Sequence, residues 1–414
     1  MDTRPGSGTW SSTFTGSDVL RKKTLEDLDL KGKLALVRVD YNVPLDPSGN
    51  ITDDTRIRAT LPSINHILDN GGSVVLISHL GRPKGKLVPS MSLAPIAKRL
   101  SRLLKLEVLF LSDCIGGEVM DALKNLQHGG VVLLENLRFH AGEVENDPEF
   151  SRQLGSTADI YVDDAFATSH RKHASVVGVP AILKPAVAGF LMKDEIDYFN
   201  RAFTEPVRPL VAILGGAKVS DKIKTIMTLL EKVDKIIIGG GMAFTFLKTL
   251  GYNVGKSLVE EDMLELAADI MQQAKSRGMP FYLPVDCVAA HTREEKAETM
   301  IVPVQEIPDD QMGLDIGPAT ILLFREVIGL AGTIVWNGPM GVFELSHFST
   351  GTFSIVDALA NSQALTILGG GDTDVAVHST GNTDKIDYIS TGGGAFLMLM
   401  EKGELPGINA LDDA

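Results

Sequence analysis

The chain has 414 residues, 44% of them hydrophobic and 22% charged, and a formal net charge of −14 at pH 7. This length favours two or three domains. An acidic chain lacks the broad basic surface that nucleic acids require, so we expect no nucleic-acid partner. The two isolated cysteines, Cys114 and Cys287, exclude a disulfide framework and favour a reducing cytoplasm. No apolar run reaches the length of a membrane span, so we expect no membrane partner.

Residues 1–23 differ in composition from the rest of the chain. Residues 1–18 are rich in Ser, Thr and Gly, show no periodic apolar pattern and lack the apolar core of a secretory signal. We interpret residues 1–23 as a flexible N-terminal extension.

Short apolar runs alternate with amphipathic stretches after the extension, a pattern that predicts right-handed βαβ units and a parallel sheet. The predicted strands of the first half are 33–39, 73–77, 108–111, 131–135 and 160–162, and its predicted helices are 55–70, 92–104 and 117–126. A helix over 190–204 separates the halves. In the second half the predicted strands are 210–214, 235–238, 280–283, 333–336 and 364–368, with a helix at 261–277.

Basic side chains cluster after the strands of the first half. The stretch 166–175 places His170, Arg171, Lys172 and His173 in four consecutive positions, which indicates a small-anion site or, alternatively, a solvated loop. Ligands of parallel sheets bind beyond the carboxyl ends of the strands, and arginine suits carboxylate and phosphate. The side chains expected at this rim are Arg38, Asp40, Asn42, His79, Arg82, Arg138, His140, His170 and Arg171. Arg56, in the first turn of a helix, is equally compatible with a solvated surface.

Glycine-rich loops follow the strands of the second half, at 215–216, 239–241, 338–341, 369–371 and 392–394. Glycine lets backbone N–H groups approach a ligand, so these loops predict a nucleotide site. Lys218 is either a phosphate ligand or an exposed lysine at a helix start. Asp372 is either an N-cap or a ligand of Mg²⁺. The apolar residues Met242, Phe244, Val342 and Phe343 either flank the base or belong to the core.

Two familiar nucleotide motifs are absent or misplaced. The stretch 251–257 resembles a P-loop, but it has one residue too few between its glycines and follows a predicted helix rather than a strand. No G-x-G-x-x-G opens a βαβ unit convincingly, which weakens a dehydrogenase interpretation. His291 and His347 have no metal-ligand spacing.

Taken together, the motifs resemble the phosphoglycerate kinase family from about residue 24 to about residue 411. The stretches that carry the resemblance are RVDYNVP (38–44), SHLGRP (78–83), LENLRFH (134–140), GGAKVSDK (215–222), GGGMAFTF (239–246), WNGP (336–339), GGGDT (369–373) and STGGG (390–394). Ala167 and Ala319 depart from the residues frequent in this family, and Ala319 is expected to alter nucleotide contacts.

The resemblance implies an α/β fold of two doubly wound, Rossmann-like parallel-sheet domains that face a cleft. The domain that binds 3-phosphoglycerate would comprise residues 24–189 with 405–414 returning to it. Residues 190–204 would form the interdomain helix, and residues 205–404 the domain for Mg-ATP or Mg-ADP.

Site residues carried over from the family fall into four groups. The substrate-binding residues are Asp40, Asn42, Arg56, His79, Arg82, Arg138 and Arg171. The nucleotide-binding residues are Gly216, Ala217, Lys218, Lys222, Gly239, Gly240, Asn337, Pro339, Val342, Glu344, Gly371, Asp372 and Thr373. The catalytic residues are Arg56, Lys218, Gly371 and Gly394, and the metal ligand is Asp372.

The implied reaction is reversible phosphoryl transfer between ATP and the carboxylate of 3-phosphoglycerate, a step of glycolysis and gluconeogenesis. We expect positioning and charge neutralisation rather than a general base, together with domain closure around the substrates. A cytoplasmic monomer is the family expectation. The alternative is a nucleotide- and anion-binding module without turnover, and a dehydrogenase is a weaker third choice.

Overall fold

A computed structural model describes residues 19–156 and 158–414, so residues 1–18 of the predicted extension lie outside the described part. The first half is built on a six-stranded parallel sheet. Its strands are β1 (Leu34–Val39), β2 (Ser73–Ile77), β3 (Val108–Leu111), β4 (Val131–Leu134), β5 (Ile160–Asp164) and β6 (Ala186–Ala188). Their order across the sheet is β3-β4-β2-β1-β5-β6, and β6 is a strand that the sequence pattern did not predict.

Helices cover both faces of this sheet, as the nearly continuous apolar runs of its buried strands require. The helices are α1 (Thr55–Ala59), α2 (Leu61–Asp69), α3 (Ala94–Leu104), α4 (Gly117–Lys124), α5 (Ala141–Glu145), α6 (Pro148–Gly155) and α7 (Val179–Ile182). Short 3-10 turns occupy Leu25–Asp27, Pro89–Met91, Leu137–Phe139 and Phe166–Thr168, and a π-helical turn occupies Ala174–Gly178.

The single helix predicted over 55–70 is wrong, because the structure divides it into α1 and α2 at Thr60. Pro62 is the second residue of α2 and has no N–H to donate to the preceding turn. The Thr60 hydroxyl lies 2.9 Å from the Ile57 carbonyl oxygen and 2.9 Å from the hydroxyl of buried Tyr41. The break therefore sets the direction of the short helix that carries Arg56.

The helix α8 (Phe190–Phe203) lies between the two halves of the chain. Its buried carboxylate, Glu195, accepts hydrogen bonds from the Ser390 hydroxyl at 2.8 Å and from the Thr391 amide at 2.8 Å. Burial raises the pKa of Glu195 to about 7, although these hydrogen bonds act in the opposite direction. The helix is thereby joined to the last glycine loop of the second half.

A second six-stranded parallel sheet forms the second half, which confirms the predicted fold class of two doubly wound parallel sheets. Together with the smaller sheet described next, the strands are β7 (Leu210–Leu214), β8 (Lys235–Ile238), β9 (Phe281–Tyr282), β10 (Asp286–Ala290), β11 (Thr299–Pro303), β12 (Met312–Ile316), β13 (Thr333–Asn337), β14 (Leu365–Gly369) and β15 (Tyr388–Ile389). The order in the parallel sheet is β15-β14-β13-β7-β8-β9.

The remaining strands form a three-stranded antiparallel sheet in the order β11-β10-β12, which the sequence pattern did not predict. The helices of this half are α9 (Ile223–Lys232), α10 (Met242–Thr249), α11 (Leu264–Ser276), α12 (Pro318–Gly329), α13 (Thr350–Ala360), α14 (Gly371–Thr380), α15 (Gly394–Lys402) and α16 (Pro406–Asn409). Further 3-10 turns occupy Glu261–Met263, Ser346–Phe348 and Thr383–Lys385. None of the helices in the described part of the chain is long and apolar enough to cross a membrane.

The last residues of the chain contact the first sheet. The Asp412 amide donates to the Ala186 carbonyl at 2.8 Å, and an Asp412 carboxylate oxygen accepts from the Ala186 amide at 3.0 Å. Leu411 is buried in a core cluster that spans both halves. The boundaries predicted for the domains, at 24–189 with 405–414, at 190–204 and at 205–404, stay a prediction.

Replacing Leu411 with alanine should destabilise the protein, because Leu411 is only 4% exposed and its removal leaves a cavity. We expect a loss of roughly 2–5 kcal/mol in the free energy of unfolding. Leu322→Ala is the control, since Leu322 is 69% exposed and should change this free energy by no more than about 0.5 kcal/mol. Chemical denaturation measures both, and equal losses would contradict the packing described for the C-terminus.

Candidate functional site

A basic pocket of about 470 Å³ lies beyond the carboxyl ends of the strands of the first sheet. The residues that line it include Arg82, Lys84, Arg138, Arg171 and His173. Each belongs to a loop that follows a strand: β2, β4 or β5. The topology therefore brings together positive groups that are far apart in the sequence.

Two of these arginines are withdrawn from solvent and incompletely hydrogen-bonded. Arg138 donates from Nη1 to the Gly81 carbonyl at 2.7 Å, but its buried Nε has no hydrogen-bond partner among the described residues. The buried Nη1 of Arg171 has none either. Burial, followed by the charges of Arg171 and Arg38, lowers the pKa of Arg138 to about 10. Burial also lowers the pKa of Arg171. Both guanidinium groups line the basic pocket and retain unmet hydrogen-bonding capacity.

The histidines around the pocket favour their neutral forms. Burial and then the charge of Arg138 lower the pKa of His173 to about 4. Burial and then the charge of Arg38 lower the pKa of His79 far below its usual value. Burial and then Arg171 lower the pKa of His170, whose Nε2 lies 3.2 Å from Nε of Arg171. None of the three is suited to take a proton from a substrate near pH 7.

Arg56 is positioned by the loop after β1. Its Nη1 donates to Asp40 at 2.6 Å and contacts the Asn42 carbonyl at 3.4 Å, and its side chain remains 41% exposed. The Asn42 side chain accepts a hydrogen bond from the Gly81 amide at 2.9 Å. Asp40 thus orients the guanidinium without burying it.

Two residues expected at the rim face other partners. Arg38 is completely buried, and it donates to the Ser175 hydroxyl at 2.9 Å and contacts His79 at 3.2 Å and the Val39 carbonyl. Arg38 therefore supports the pocket from beneath. Its buried side chain does not reach a ligand in the pocket. His140 instead contacts Asp113 at 2.7 Å.

The second half contains a pocket of about 380 Å³ lined by glycine loops, apolar side chains and two cations. Seven of the predicted nucleotide-binding residues line it: Gly216, Ala217, Gly240, Pro339, Val342, Glu344 and Asp372. The other six predicted residues do not line it: Lys218, Lys222, Gly239, Asn337, Gly371 and Thr373.

Glycine is required in the loop after β8. Gly240 has a φ of +67°, and a Cβ there would lie 2.6 Å from the Gly216 nitrogen and 2.8 Å from the Pro339 carbonyl oxygen. A Cβ at Gly239 would lie 2.4 Å from the Met340 sulfur. Three loops consequently meet at van der Waals distance and form the floor of the pocket.

Lys222 is a buried cation beneath this floor. Its ammonium donates to the Asn337 carbonyl at 2.7 Å and to the Asn337 side-chain oxygen. Burial lowers the pKa of Lys222 to about 7, against the opposing effect of Asp372 and Asp221. A phosphate nearby would favour its protonated form.

The N-termini of α14 and α15 lie side by side. A Cβ at Gly393 would lie 3.9 Å from the Gly370 Cα, and open space surrounds the Cβ positions of Gly371 and Gly394. Unpaired N–H groups at helix N-termini attract anions. Asp372, in the first turn of α14, is exposed and lines the pocket. Thr373 is buried and instead accepts a hydrogen bond from the Gly338 amide at 2.7 Å.

The first-half site adjoins these glycine loops. Arg56, Phe166 and Thr391 line the same small cavity, and a Cβ at Gly392 would lie 2.2 Å from the Phe166 ring. Lys218 is exposed at the loop after β7. The loop after β5 in the first half therefore contacts the last glycine loop of the second half.

Sequence reasoning missed several residues of the second pocket, among them Lys256, Leu258, Arg293 and Leu314. Leu314 lies on β12 of the unpredicted antiparallel sheet, so the pattern gave no signal for it. Lys256 belongs to the false P-loop, which follows α10 as expected from the sequence. Of the four apolar candidates, Phe244 and Val342 line the pocket, whereas Met242 and Phe343 are buried outside its lining.

Ala319 does not line the pocket. Its amide donates to the Asp286 carboxylate at 3.0 Å, at the start of α12.

A basic pocket and a glycine-lined pocket of nucleotide size, on two doubly wound sheets, are features of small-molecule kinases. A sequence model described as phosphoglycerate kinase matches residues 25–403. The phosphoglycerate kinase of Geobacter metallireducens is 59% identical over 384 residues, covering 93% of this chain and 96% of the relative. That of Aquifex aeolicus is 57% identical over 395 residues, covering 95% and 99%.

Solved structures agree with these relatives. The phosphoglycerate kinase of Coxiella burnetii superposes with a TM-score of 0.87 at 41% identity, covering 94% of this chain and 98% of the other. That of Pyrococcus horikoshii OT3 gives 0.80 at 34% identity, with the same coverage. The chain belongs to the phosphoglycerate kinase family. It is accordingly an enzyme, a phosphotransferase of glycolysis.

Gly240→Ala should weaken nucleotide binding, because the added Cβ meets backbone atoms of two neighbouring loops. We expect affinity for ADP to fall by about tenfold or more, a loss of about 1.4 kcal/mol. Gly251→Ala is the matched control, since Gly251 has a φ of +85° but no atom within 4 Å of the Cβ position. Calorimetric titration with ADP measures both variants. Equal affinities would show that the close approach of the loops does not shape the pocket.

Proposed function

We propose that the chain catalyses the reversible transfer of a phosphoryl group between ATP and the carboxylate of 3-phosphoglycerate. The observation that carries this proposal is the pairing of a basic pocket with incompletely paired guanidinium donors and an adjoining glycine-lined pocket. The products in this direction are 1,3-bisphosphoglycerate and ADP. Membership in the phosphoglycerate kinase family supports these substrates.

No general base is needed for this reaction. A carboxylate is ionised at pH 7, so the acceptor oxygen is already a nucleophile. The site agrees with this requirement, because the lowered pKa values of His79, His170 and His173 disfavour proton-transfer roles near neutrality. Catalysis then depends on alignment of the reactants and on neutralising the charge of the transferred group.

The predicted substrate residues divide into binding and positioning roles. We assign the phosphate and carboxylate of the acid to the donors of Arg82, Arg138 and Arg171. Asp40 positions Arg56, and Asn42 orders the backbone around Gly81. His79 is 2% exposed, so it supports the pocket through Arg38 rather than by direct contact.

The moving phosphoryl group would be stabilised by cations and helix ends. Arg56 and Lys218 are exposed enough to reach it, and the N-termini at Gly371 and Gly394 offer unpaired amides. The nucleotide phosphates would contact the glycine loops, with Lys222 beneath them. The apolar lining, with Val342 and Phe244, suits a purine base.

Residues suited to Mg²⁺ are present at the nucleotide pocket. The carboxylate of Asp372 is exposed at the lining and has no hydrogen bond to any described residue. Mg²⁺ takes one or two protein carboxylates together with substrate phosphates. Asp372 would therefore bind the metal of Mg-ATP or Mg-ADP. When bound, Mg²⁺ supplies neutralisation of phosphate charge.

Three finer properties belong to the same proposal: a cytoplasmic location, a monomeric state and hinge closure around the substrates. Closure would exclude water from the transferring phosphoryl group.

No observation on the described residues favours a binding module without turnover. A coupled assay decides between the kinase and the binding module. If the chain is a kinase, an acyl-phosphate-dependent dehydrogenase should oxidise a reduced cofactor only when 3-phosphoglycerate, ATP and Mg²⁺ are all present. Binding of both ligands without oxidation would refute the kinase proposal.

Lys218→Ala should reduce turnover, because a cation facing the transferred phosphoryl group acts mainly in the transition state. We expect kcat to fall on the order of 100-fold or more, with smaller changes in KM. The control is Lys224→Ala, which removes another exposed lysine from the start of α9 and should leave kcat unchanged. The coupled assay measures both, and a decrease of only a few-fold in Lys218→Ala would contradict the assigned role.

A further inference from the structure

Three potential metal ligands of different chemistry meet on the first half of the chain, at positions that line neither pocket. They are a carboxylate oxygen of Asp113, the thiol of Cys114 and a ring nitrogen of His140, and these atoms all lie within 4.8 Å of one another. The functional site described above uses none of them.

Two neighbouring strands bring these three side chains close together. Asp113 and Cys114 follow β3, and His140 follows β4 after one 3-10 turn; β3 and β4 are neighbouring parallel strands, with Leu111 paired to Leu134. The Asp113 carboxylate accepts from the Cys114 amide at 2.6 Å and lies 2.7 Å from Nε2 of His140. The positions of the ligands thus depend on the register of two buried strands.

Neighbouring carboxylates are already occupied. Glu143 accepts from the Ser175 amide at 2.9 Å and hydroxyl at 2.7 Å, and Glu135 accepts from the Leu93 amide at 2.9 Å and the Ser92 hydroxyl at 2.7 Å. Their charges nevertheless make the surroundings of Cys114 negative. Such negative surroundings favour a bound cation.

We propose that Asp113, Cys114 and His140 bind a divalent transition metal of the zinc class, with water as the fourth ligand. Thiolate, imidazole and carboxylate together suit Zn²⁺ rather than Mg²⁺ or Ca²⁺, which prefer oxygen ligands. As the metal–sulfur bond forms, the thiol releases its proton to solvent.

The geometry permits this site to close with small movements. Zinc bonds are about 2.0–2.3 Å long, which places the ligand atoms of a tetrahedral site about 3.3–3.8 Å apart. The three ligand atoms already lie within 4.8 Å of one another, and the Asp113 oxygen and His140 Nε2, now 2.7 Å apart, must separate slightly to admit the metal. The side chains of Asp113 and His140 are 53% and 33% exposed and are free to move, whereas Cys114 is fixed by burial. The exposed side also gives water access to the fourth position. A bound metal would connect the end of β3 to the end of β4.

Cobalt(II) tests the proposal directly, because a cobalt–thiolate bond produces a charge-transfer absorption that oxygen and nitrogen ligands do not. The full-length protein, freed of metals by chelation, is titrated with CoCl₂ without nucleotide or substrate. We expect a near-ultraviolet charge-transfer band that saturates at one cobalt per chain and disappears on addition of ZnCl₂. Absence of the band at saturating cobalt would overturn the proposal.

Variants assign the band to these residues. Cys114→Ser should abolish it, whereas Cys287→Ser, which changes the other buried cysteine, should retain it. His140→Gln and Asp113→Asn alter partly exposed side chains and so test the site even if Cys114→Ser does not fold; each should weaken cobalt binding at least tenfold. His291→Gln, from an exposed histidine–aspartate pair with Asp310, is the matched control and should bind cobalt normally. A band that persists in Cys114→Ser, or that His140→Gln leaves unchanged, would contradict the assignment.

Discussion

The concentration of positive charge at one edge of the first sheet is the constraint on which the site depends. Burial, followed by the guanidinium charges of Arg171 and Arg38, lowers the pKa of Arg138. Like charges held together in a partly buried pocket cost stability unless something opposes them. Asp40 offsets part of this charge by its ion pair with Arg56. A carboxylate oxygen of Glu143 lies 3.7 Å from Nδ1 of His173. The remaining imbalance favours a small polyanion, although the chain as a whole carries a net charge of −14.

The second half uses a different means of binding negative charge. Its pocket presents backbone amides of glycine loops and helix N-termini, which are neutral donors fixed by the fold. Lys222 is held beneath these loops by Asn337 and has a pKa of about 7. Clustered guanidinium groups on one side, and oriented backbone dipoles together with lysine and arginine side chains on the other, are suited to phosphoryl transfer between two anions, since neither reactant has to lose a proton.

Much of the fold could be predicted because buried parallel strands appear as short apolar runs between amphipathic helices. Because the ends of the strands could be located, the basic and glycine-rich residues in the loops that follow them could be assigned to two sites. The predictions failed where tertiary structure overrides the pattern. Thr60 and Pro62 divide a stretch with continuous helical periodicity, and the strands between residues 286 and 316 form a separate antiparallel sheet whose edge strand β11 is mostly exposed.

The direction in which each side chain points could not be predicted from the sequence either. Arg38 lies near the end of β1 and Arg171 lies in the loop after β5, yet Arg38 is fully buried, whereas Arg171 contributes to the pocket. Likewise, the sequence could not distinguish Phe244 from Met242, because both lie at the start of α10 and only their packing separates them.

If the positive charge gathered at the first sheet is matched to an anionic substrate, the titration of His173, followed by NMR, should respond to that substrate. The pKa of His173 should be about 4 in the free protein, because burial and neighbouring arginines disfavour the charged ring. Binding of 3-phosphoglycerate should raise this pKa, since an anion offsets the arginine charges and stabilises the protonated ring. An ordinary pKa near 6.5 that 3-phosphoglycerate leaves unchanged would contradict the account.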